Sequence, residues 1–310
     1  MVRKVEKKNI IAITICYNDD YKFNEWVSHY EAYKNSIYKL IIVDNGSKKE
    51  FLDKVKKNFS EAIIIERKVN GGCTAAYNDG IRCALDDPCM DAIMLIGNDI
   101  LIYNKDVKKL SDLLFSQNQI GMVAPVLLKK NSDIIEDAGS GISFCLFMKP
   151  ENVGKKYSDI EKKAFVVQSV TGGMNLAKRE FYEKIGVQDE NLFMYSDEVD
   201  IGIRSKKAGF KMYIDGNAYA IHQHINPEAK EKRMPYSDFL IARNKVYLGK
   251  KFYGKGRAFI IMLYMLARGI CKILVSLFKK RNLRPYVFSI RGALKGFKGD
   301  MKLPNYLNIR

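Results

Sequence analysis

Three acidic clusters and a pair of histidines are the residues best equipped for chemistry in this 310-residue sequence. The run Met94-Leu95-Ile96-Gly97-Asn98-Asp99-Ile100-Leu101-Ile102 is apolar except for Gly-Asn-Asp. It reads as a buried parallel strand that delivers the Asp99 carboxylate to the edge of a sheet. An acid at the carboxyl end of a strand in an open α/β sheet can hold a divalent cation and the phosphates that the cation neutralises. It can equally cap a turn. Val43-Asp44-Asn45-Gly46-Ser47 repeats the pattern, and Asp44 has the same two readings. Asp197-Glu198-Val199-Asp200 places three acids in four positions at a helix start, where the dipole favours them, and Arg204 follows Asp200 at ion-pair spacing. Adjacent carboxylates can also take a proton from an attacking hydroxyl. His222 and His224 share one face of an extended chain, but no cysteine or third histidine accompanies them, so zinc is not expected. His29 falls in an amphipathic segment and reads as structural.

The elements that would position these groups alternate. Ile10-Ile-Ala-Ile-Thr-Ile-Cys16 reads as a strand ending in the polar turn Tyr17-Asn18, Phe23 to Asn35 as a helix, and Leu40 to Asp44 as a second strand. Strand, helix, strand implies a right-handed parallel crossover, which puts Asn18 and Asp44 at one sheet edge. Phe51–Phe59 gives a helix, Ala62–Glu66 a third strand, and Ala75–Leu85 the next helix, preceded by Asn70-Gly71-Gly72. Paired glycines at a helix start let backbone N–H groups approach an anion. Three β-α units meeting at one acid-tipped edge form the nucleotide-binding half of a doubly wound sheet. Further on, Val107–Gln117 reads as a helix, Gly121–Val126 as a strand, Asp137–Gly141 as a loop, and the stretch to Lys163 as exposed. Thr171-Gly172-Gly173 is a turn where backbone can come close to a ligand, with a helix over Lys178–Ile185 after it and a strand over Lys211–Asp215.

The chain is long enough for one large domain plus an appendage, and 47% hydrophobic content suffices for a sizeable core. Six scattered cysteines lack metal-ligand spacing and suggest reduced thiols in a cytosolic setting. The charged start Met1–Lys8, followed by a short apolar run, reads as the approach to a first strand rather than a secretory signal. The formal net charge of +17 is unevenly spread. Residues 1–230 carry 33 Lys and Arg against 32 Asp and Glu, and residues 231–310 carry 19 against 3. The division predicts a domain over 1–230 and a basic helical extension over 231–310.

Val-Asp-Asn-Gly-Ser, the Asn70-x-Gly72 helix start, the acid-tipped strand at Asp99 and the Asp-Glu-Val-Asp block, in this order, resemble a family 2 glycosyltransferase of GT-A fold. The similarity is greatest to the rhamnosyltransferase-like branch that builds bacterial surface polysaccharides, and it covers Ile10 to His224. It implies an α/β GT-A architecture, Rossmann-like, with a mostly parallel central sheet flanked by helices. It implies that Asp44 binds the base of a nucleotide sugar, that the backbone around Tyr17 and Asn18 closes over it, and that Asn70 and Gly72 line the nucleotide pocket. Asn98, Thr171, Gly172 and Gly173 fall in the same donor-binding set. Asp99 matches the last acid of an Asp-x-Asp motif that binds Mn²⁺ or Mg²⁺, with His222 as a further metal or diphosphate ligand. Gly97 stands where that motif has its first acid, so the cation would depend on the donor's own oxygens. The family's Glu-Asp pair is inverted here to Asp197-Glu198, and its register makes Glu198 the catalytic base and Asp197 its neighbour.

The extension carries Arg243-Asn244 in an aromatic setting and then the apolar stretch Ala258–Phe278. Arg257, Arg268, Lys272 and Lys279 gather on one side of a helical wheel and leave the rest mainly apolar. Such a helix suits an anionic membrane interface; packing on the catalytic domain and spanning the bilayer are the competing readings, the last burdened by Arg268 and Lys272 near its middle. The expected activity is inverting transfer from a UDP- or dTDP-sugar to a lipid-linked or growing polysaccharide acceptor at the cytoplasmic face of the inner membrane. The alternative is a non-catalytic binder of sugar nucleotides or nucleic acid; acids at the sheet edge oppose a nucleic-acid partner.

Overall fold

The computed structural model describes residues 8–223, 235–279 and 281–304, so His224 lies outside the described residues. In chain order the elements are β1 (Ile10–Cys16), α1 (Phe23–Tyr33), β2 (Lys39–Asp44), α2 (Lys49–Asn58), β3 (Ile63–Glu66), α3 (Gly72–Leu85), β4 (Ala92–Ile96), β5 (Ile100–Leu101) and α4 (Asn104–Leu114). There follow β6 (Ile120–Lys129), β7 (Ile135–Asp137), β8 (Ser140–Ile142), β9 (Met148–Pro150), β10 (Ala164–Val167), β11 (Met174–Lys178), α5 (Arg179–Ile185), α6 (Asp197–Lys207), β12 (Lys211–His222), α7 (Pro235–Phe278) and α8 (Arg284–Lys298). They form two compact units. The first comprises Met1–Gly141, Pro150–Gln188 and Ile201–Ile225, and the second Ile142–Lys149, Asp189–Asp200 and Asn226–Arg310.

The first unit is built on a sheet of order β10-β12-β6-β11-β4-β1-β2-β3. Along this path only β10 and β11 run against the other six, which makes it mostly parallel; the short β5 and β7 join the sheet off the path, antiparallel to β12 and β6. Alternation along each central strand divides its side chains between two cores. Ile10, Ala12, Leu40, Ile42, Met94 and Ile96 face one side, where α1 and α2 supply Phe23, Trp26, Phe51 and Val55. Ile11, Ile13, Ile41, Val43, Ile93 and Leu95 face the other, covered by Ala76, Ile81 and Ala84 of α3 and Phe181 of α5. Burial on both faces explains why these strands read as unbroken apolar runs.

The structure departs from the sequence reading in four places. The 94–102 run is two strands: β4 ends at Ile96, and β5 turns away to pair antiparallel with β12. Asp137 to Gly141 is not a plain loop, because β7 pairs with β6 and β8 with β9. Three-residue strands are too short for a period-2 signal to stand out. β12 continues past Asp215 to His222, its register shifting between Asp215 and Tyr219, and the Asp215-Gly216-Asn217 composition masks this continuity. α4 starts three residues before the expected helix and ends three before its end.

In the second unit α7 is broken at Gly254, whose φ of 84° and ψ of 178° no helix tolerates. Before the break, Phe239 and Arg243 lie against Gly292 and Gly296 of α8, so closely that a Cβ on either glycine would overlap their carbonyls. After the break, Phe259 meets Phe297 and Gly269 meets Ile290, the opposite order along α8. The chain therefore reverses at Gly254, and α8 packs along both segments of the resulting hairpin.

Candidate functional site

The carboxyl ends of β1 and β2 converge on a hydrogen-bonded polar cluster in the first unit. Asp44, the last residue of β2, is 1% exposed and accepts the Ser47 N–H at 3.1 Å. The turn between them needs Gly46, at φ 87°, where a Cβ would lie 2.9 Å from the Val69 carbonyl carbon. Buried Asn45 donates to Asn70 Oδ1 at 3.0 Å and to the Gly72 carbonyl at 3.3 Å, and its own Oδ1 accepts from Gly71 N at 3.1 Å. Asn70 Oδ1 accepts from Gly72 N at 2.9 Å, which fixes the start of α3. Asn18, at φ 51°, bridges back: its N–H donates to Ser47 Oγ at 3.0 Å and its Oδ1 accepts from Lys48 N at 2.9 Å. Asn18, Asp44, Asn70 and Gly72 are thus brought together around Asn45 and Ser47.

A second cluster lies at the end of β4. Asp19 joins the two, since its Oδ2 accepts from Tyr17 N at 3.0 Å and from Asn98 Nδ2 at 2.7 Å. Gly97 N donates to the Gly173 carbonyl at 2.8 Å, and Gly173 N donates to Thr171 Oγ1 at 3.1 Å, so the 171–173 turn is laid beside the 97–99 turn. β12 brings His222 to the same place through its pairing with Ile100. His222 Nε2 stands 3.6 Å from Asp99 Oδ2, and its Nδ1 stands 3.4 Å from Glu136 Oε1. Lys22 Nζ lies 3.4 Å from Asp19 and 4.0 Å from Asp99. His29, which the sequence read as structural, is buried and touches this centre, with Nδ1 3.3 Å from the Asn98 carbonyl.

These charges hold one another ionised. Burial alone would raise Asp99, yet the ion pair with His222 and the Lys22 charge take it down to about 2. Burial alone would lower His222, yet its two carboxylate partners push it up to about 9. Lys22 is likewise raised against its burial by Asp19 and Asp99. Gly97 leaves room for this arrangement, because a Cβ there would lie 2.9 Å from Asp99 Oδ1.

Could this centre hold a divalent cation? Among the described residues no group of three or more His, Cys, Asp and Glu is set to bind one. An ionised Asp99 nevertheless fits a hard ion that keeps several waters and takes phosphate oxygens, as Mg²⁺ and Mn²⁺ do. His222 fits beside it only on giving up the Nε2 proton that faces Asp99.

Asp197 and Glu198 belong to the second unit, at the start of α6. Burial pushes the Asp197 carboxyl up, with Asp200 adding to the shift, while hydrogen bonding with its own backbone and the Glu198 side chain works the other way. Asp200 is fully buried and paired to Lys251 at 2.6 Å. Asn45, Asp19, Lys22 and Glu136 were not singled out from the sequence. Asn45 and Asp19 are direct neighbours of residues that were; Lys22 and Glu136 carry no distinguishing sequence signal.

With this geometry in view, the profile described as "Glycosyl transferase family 2" matches residues 4–186. Low-salt glycan biosynthesis hexosyltransferase Agl10 of Haloferax volcanii is 22% identical over 294 residues, 92% of this chain and 91% of that protein. The dTDP-rhamnosyl transferase RfbF of Shigella flexneri is 24% identical over 216 residues, 69% of each chain. Among solved structures, a mannosyltransferase from Pyrobaculum calidifontis in complex with GDP-Man and Mn²⁺ superposes with a TM-score of 0.57 at 11% identity, over 96% of this chain and 88% of that one. GalNAc-T7 with UDP, GalNAc and Mn²⁺ superposes with a TM-score of 0.58 at 12% identity, over 78% of this chain; the chain spans about half of that protein, 51%. These likenesses identify the fold as GT-A.

The raised His222 contributes stability that is fully present below its ordinary value of ~6.5 and is lost as pH rises through about 9. Thermal melts of the wild type should therefore lose Tm between these limits, and His222→Gln should flatten the curve there. Equal slopes in the two proteins would refute the ion-pair assignment.

Proposed function

Since the chain belongs to glycosyl transferase family 2, we propose that it is an inverting glycosyltransferase that uses a UDP- or dTDP-sugar and Mn²⁺ or Mg²⁺. The observation that carries this reading is the Asp99 carboxylate held between His222 and Lys22 beside the Asn98 and Gly173 turns. Asp44, Asn18, Asn70 and Gly72 take the nucleoside, with Tyr17 closing over it. Asn98, Asp99 and the Thr171-Gly172-Gly173 backbone take the diphosphate. When bound, the divalent cation supplies charge neutralisation to the departing diphosphate. Lys22 adds a second positive charge to that end of the site.

Glu198 accepts the proton of the acceptor hydroxyl as its oxygen attacks the anomeric carbon, and the bond to the diphosphate breaks with its electron pair on the leaving oxygen. Asp197, raised by burial, is the neighbour that shares the proton load. Two relatives, a glycan biosynthesis hexosyltransferase and a dTDP-rhamnosyl transferase, support a lipid-linked or growing polysaccharide acceptor.

The second segment of α7 supports work at the cytoplasmic face of the inner membrane. Ile260, Leu263, Ile270, Leu274 and Phe278 recur at helical spacing and are 50, 47, 52, 52 and 90% exposed. Arg257, Arg268 and Lys272 flank this stripe, so the occupant that suits it is an anionic lipid surface. By length and composition the Tyr236–Phe278 stretch could cross a bilayer. The reversal at Gly254 and the flanking cations favour lying in the interface.

Glu198→Gln should lower transfer by about 10²- to 10⁴-fold and leave affinity for the nucleoside diphosphate unchanged. Normal transfer by this variant would remove Glu198 from the base role. The wild type should sediment with phosphatidylglycerol vesicles and not with phosphatidylcholine ones, and Ile270→Glu with Leu274→Glu should release it. Failure of the wild type to sediment with the anionic vesicles would overturn interfacial docking.

A further inference from the structure

The loop that leads into Asp197 and Glu198 has a backbone that side chains rarely tolerate. Phe193, Tyr195 and Ser196 all have left-handed φ, at 64°, 67° and 65°. Each is unfavourable for a side chain with a Cβ and persists only where the surroundings hold it. The loop and its surroundings lie within the second unit.

Two fully buried residues of α7 supply the hold. Arg243 Nη2 donates to the carbonyls of Asn191 at 3.1 Å and Leu192 at 2.9 Å, while Nη1 donates to the Met301 carbonyl at 2.7 Å. Its Nε donates to Asn244 Oδ1 at 3.0 Å, which fixes the amide so that Nδ2 faces the loop. Asn244 Nδ2 then donates to the carbonyls of Leu192 at 3.0 Å, Met194 at 2.9 Å and Tyr195 at 2.8 Å. One turn and two turns further along the same helix face, Tyr247 donates to Asp189 Oδ2 at 2.9 Å, and Lys251 pairs with Asp189 at 2.7 Å and with Asp200 at 2.6 Å. Both ends of the 189–200 segment are thus tied to one helix.

A loop of this kind needs no such network merely to connect two elements. Its carbonyls are turned inward by the left-handed residues, and Arg243 and Asn244 provide the donors that an inward-facing carbonyl requires. The consequence falls on the first residues after the strained run, which are Asp197 and Glu198.

We infer that Arg243 and Asn244 are positioning residues for the proton-accepting carboxylate: they hold the 191–195 carbonyls so that α6 begins with Glu198 in its working orientation. This rests on the reading of Glu198 as the base. Neither residue needs to touch a substrate. An ångström of displacement of a catalytic group costs on the order of 10²-fold in rate, so the effect belongs in kcat.

The experiment is a double-mutant cycle in the full-length protein between Asn244→Asp and Glu198→Gln. Asn244→Asp keeps the shape but places an oxygen against three carbonyl oxygens. It should lower kcat by about 100-fold with donor KM and UDP affinity within twofold of wild type. In the Glu198→Gln background it should cost nothing further, because its effect passes through Glu198. Lys251→Met, at the edge of the same network, should give a weaker drop of the same kind and keeps the test open if Asn244→Asp does not fold. Wild-type kcat in both variants, or an equal drop from Asn244→Asp with and without Glu198, would overturn the inference. Full transfer by Glu198→Gln alone would instead overturn the base assignment, and the two failures are read separately.

Discussion

A carboxylate that must remain ionised while largely removed from water sets the terms for the first unit. Desolvation of Asp99 has to be offset by charges and donors brought to it, and the fold brings them from distant parts of the chain. Lys22 comes from the turn after β1, His222 from the end of β12, and the backbone at Gly173 from the approach to β11. None of these segments is near Asp99 in sequence. The mostly parallel sheet is what lines them up, because parallel strands put their carboxyl ends along one edge.

That requirement accounts for details with no purpose in packing alone. β4 stops at Ile96 and the chain bends through Gly97-Asn98-Asp99 before β5, which leaves the Asp99 carboxylate clear of the sheet and next to His222. Glycine at 97 keeps a side chain away from Asp99 Oδ1. Asp19 ties the two polar clusters into one hydrogen-bonded edge.

How much of this could be read from the amino acids varies with how local the signal is. The strands at Ile10, Leu40 and Met94 were legible because both faces are buried and the apolar runs are unbroken. Asp44 and Asp99 were legible because each punctuates such a run with turn chemistry, and Asn70 because paired glycines follow it at a helix start. Glu136 was not, because β7 is three residues long and its approach to His222 depends on pairing with β6, a contact across the fold rather than along the chain. The continuation of β12 was hidden by Gly216 and Asn217, which read locally as a stop. Arg243 and Asn244 stood out only as polar residues among aromatics; their five carbonyl partners, at 191, 192, 194, 195 and 301, are visible only once the helix and the loop are folded.

The claim on which the account stands is that Asp99 anchors a diphosphate through a divalent ion. Calorimetric titration of UDP and dTDP, with Mn²⁺ and with EDTA, into the wild type and into Asp99→Asn measures it directly. The account predicts binding of at least one nucleotide that strengthens at least tenfold with Mn²⁺ and loses that gain in Asp99→Asn. Affinity indifferent to the metal, or a Mn²⁺ gain undiminished in Asp99→Asn, would contradict it.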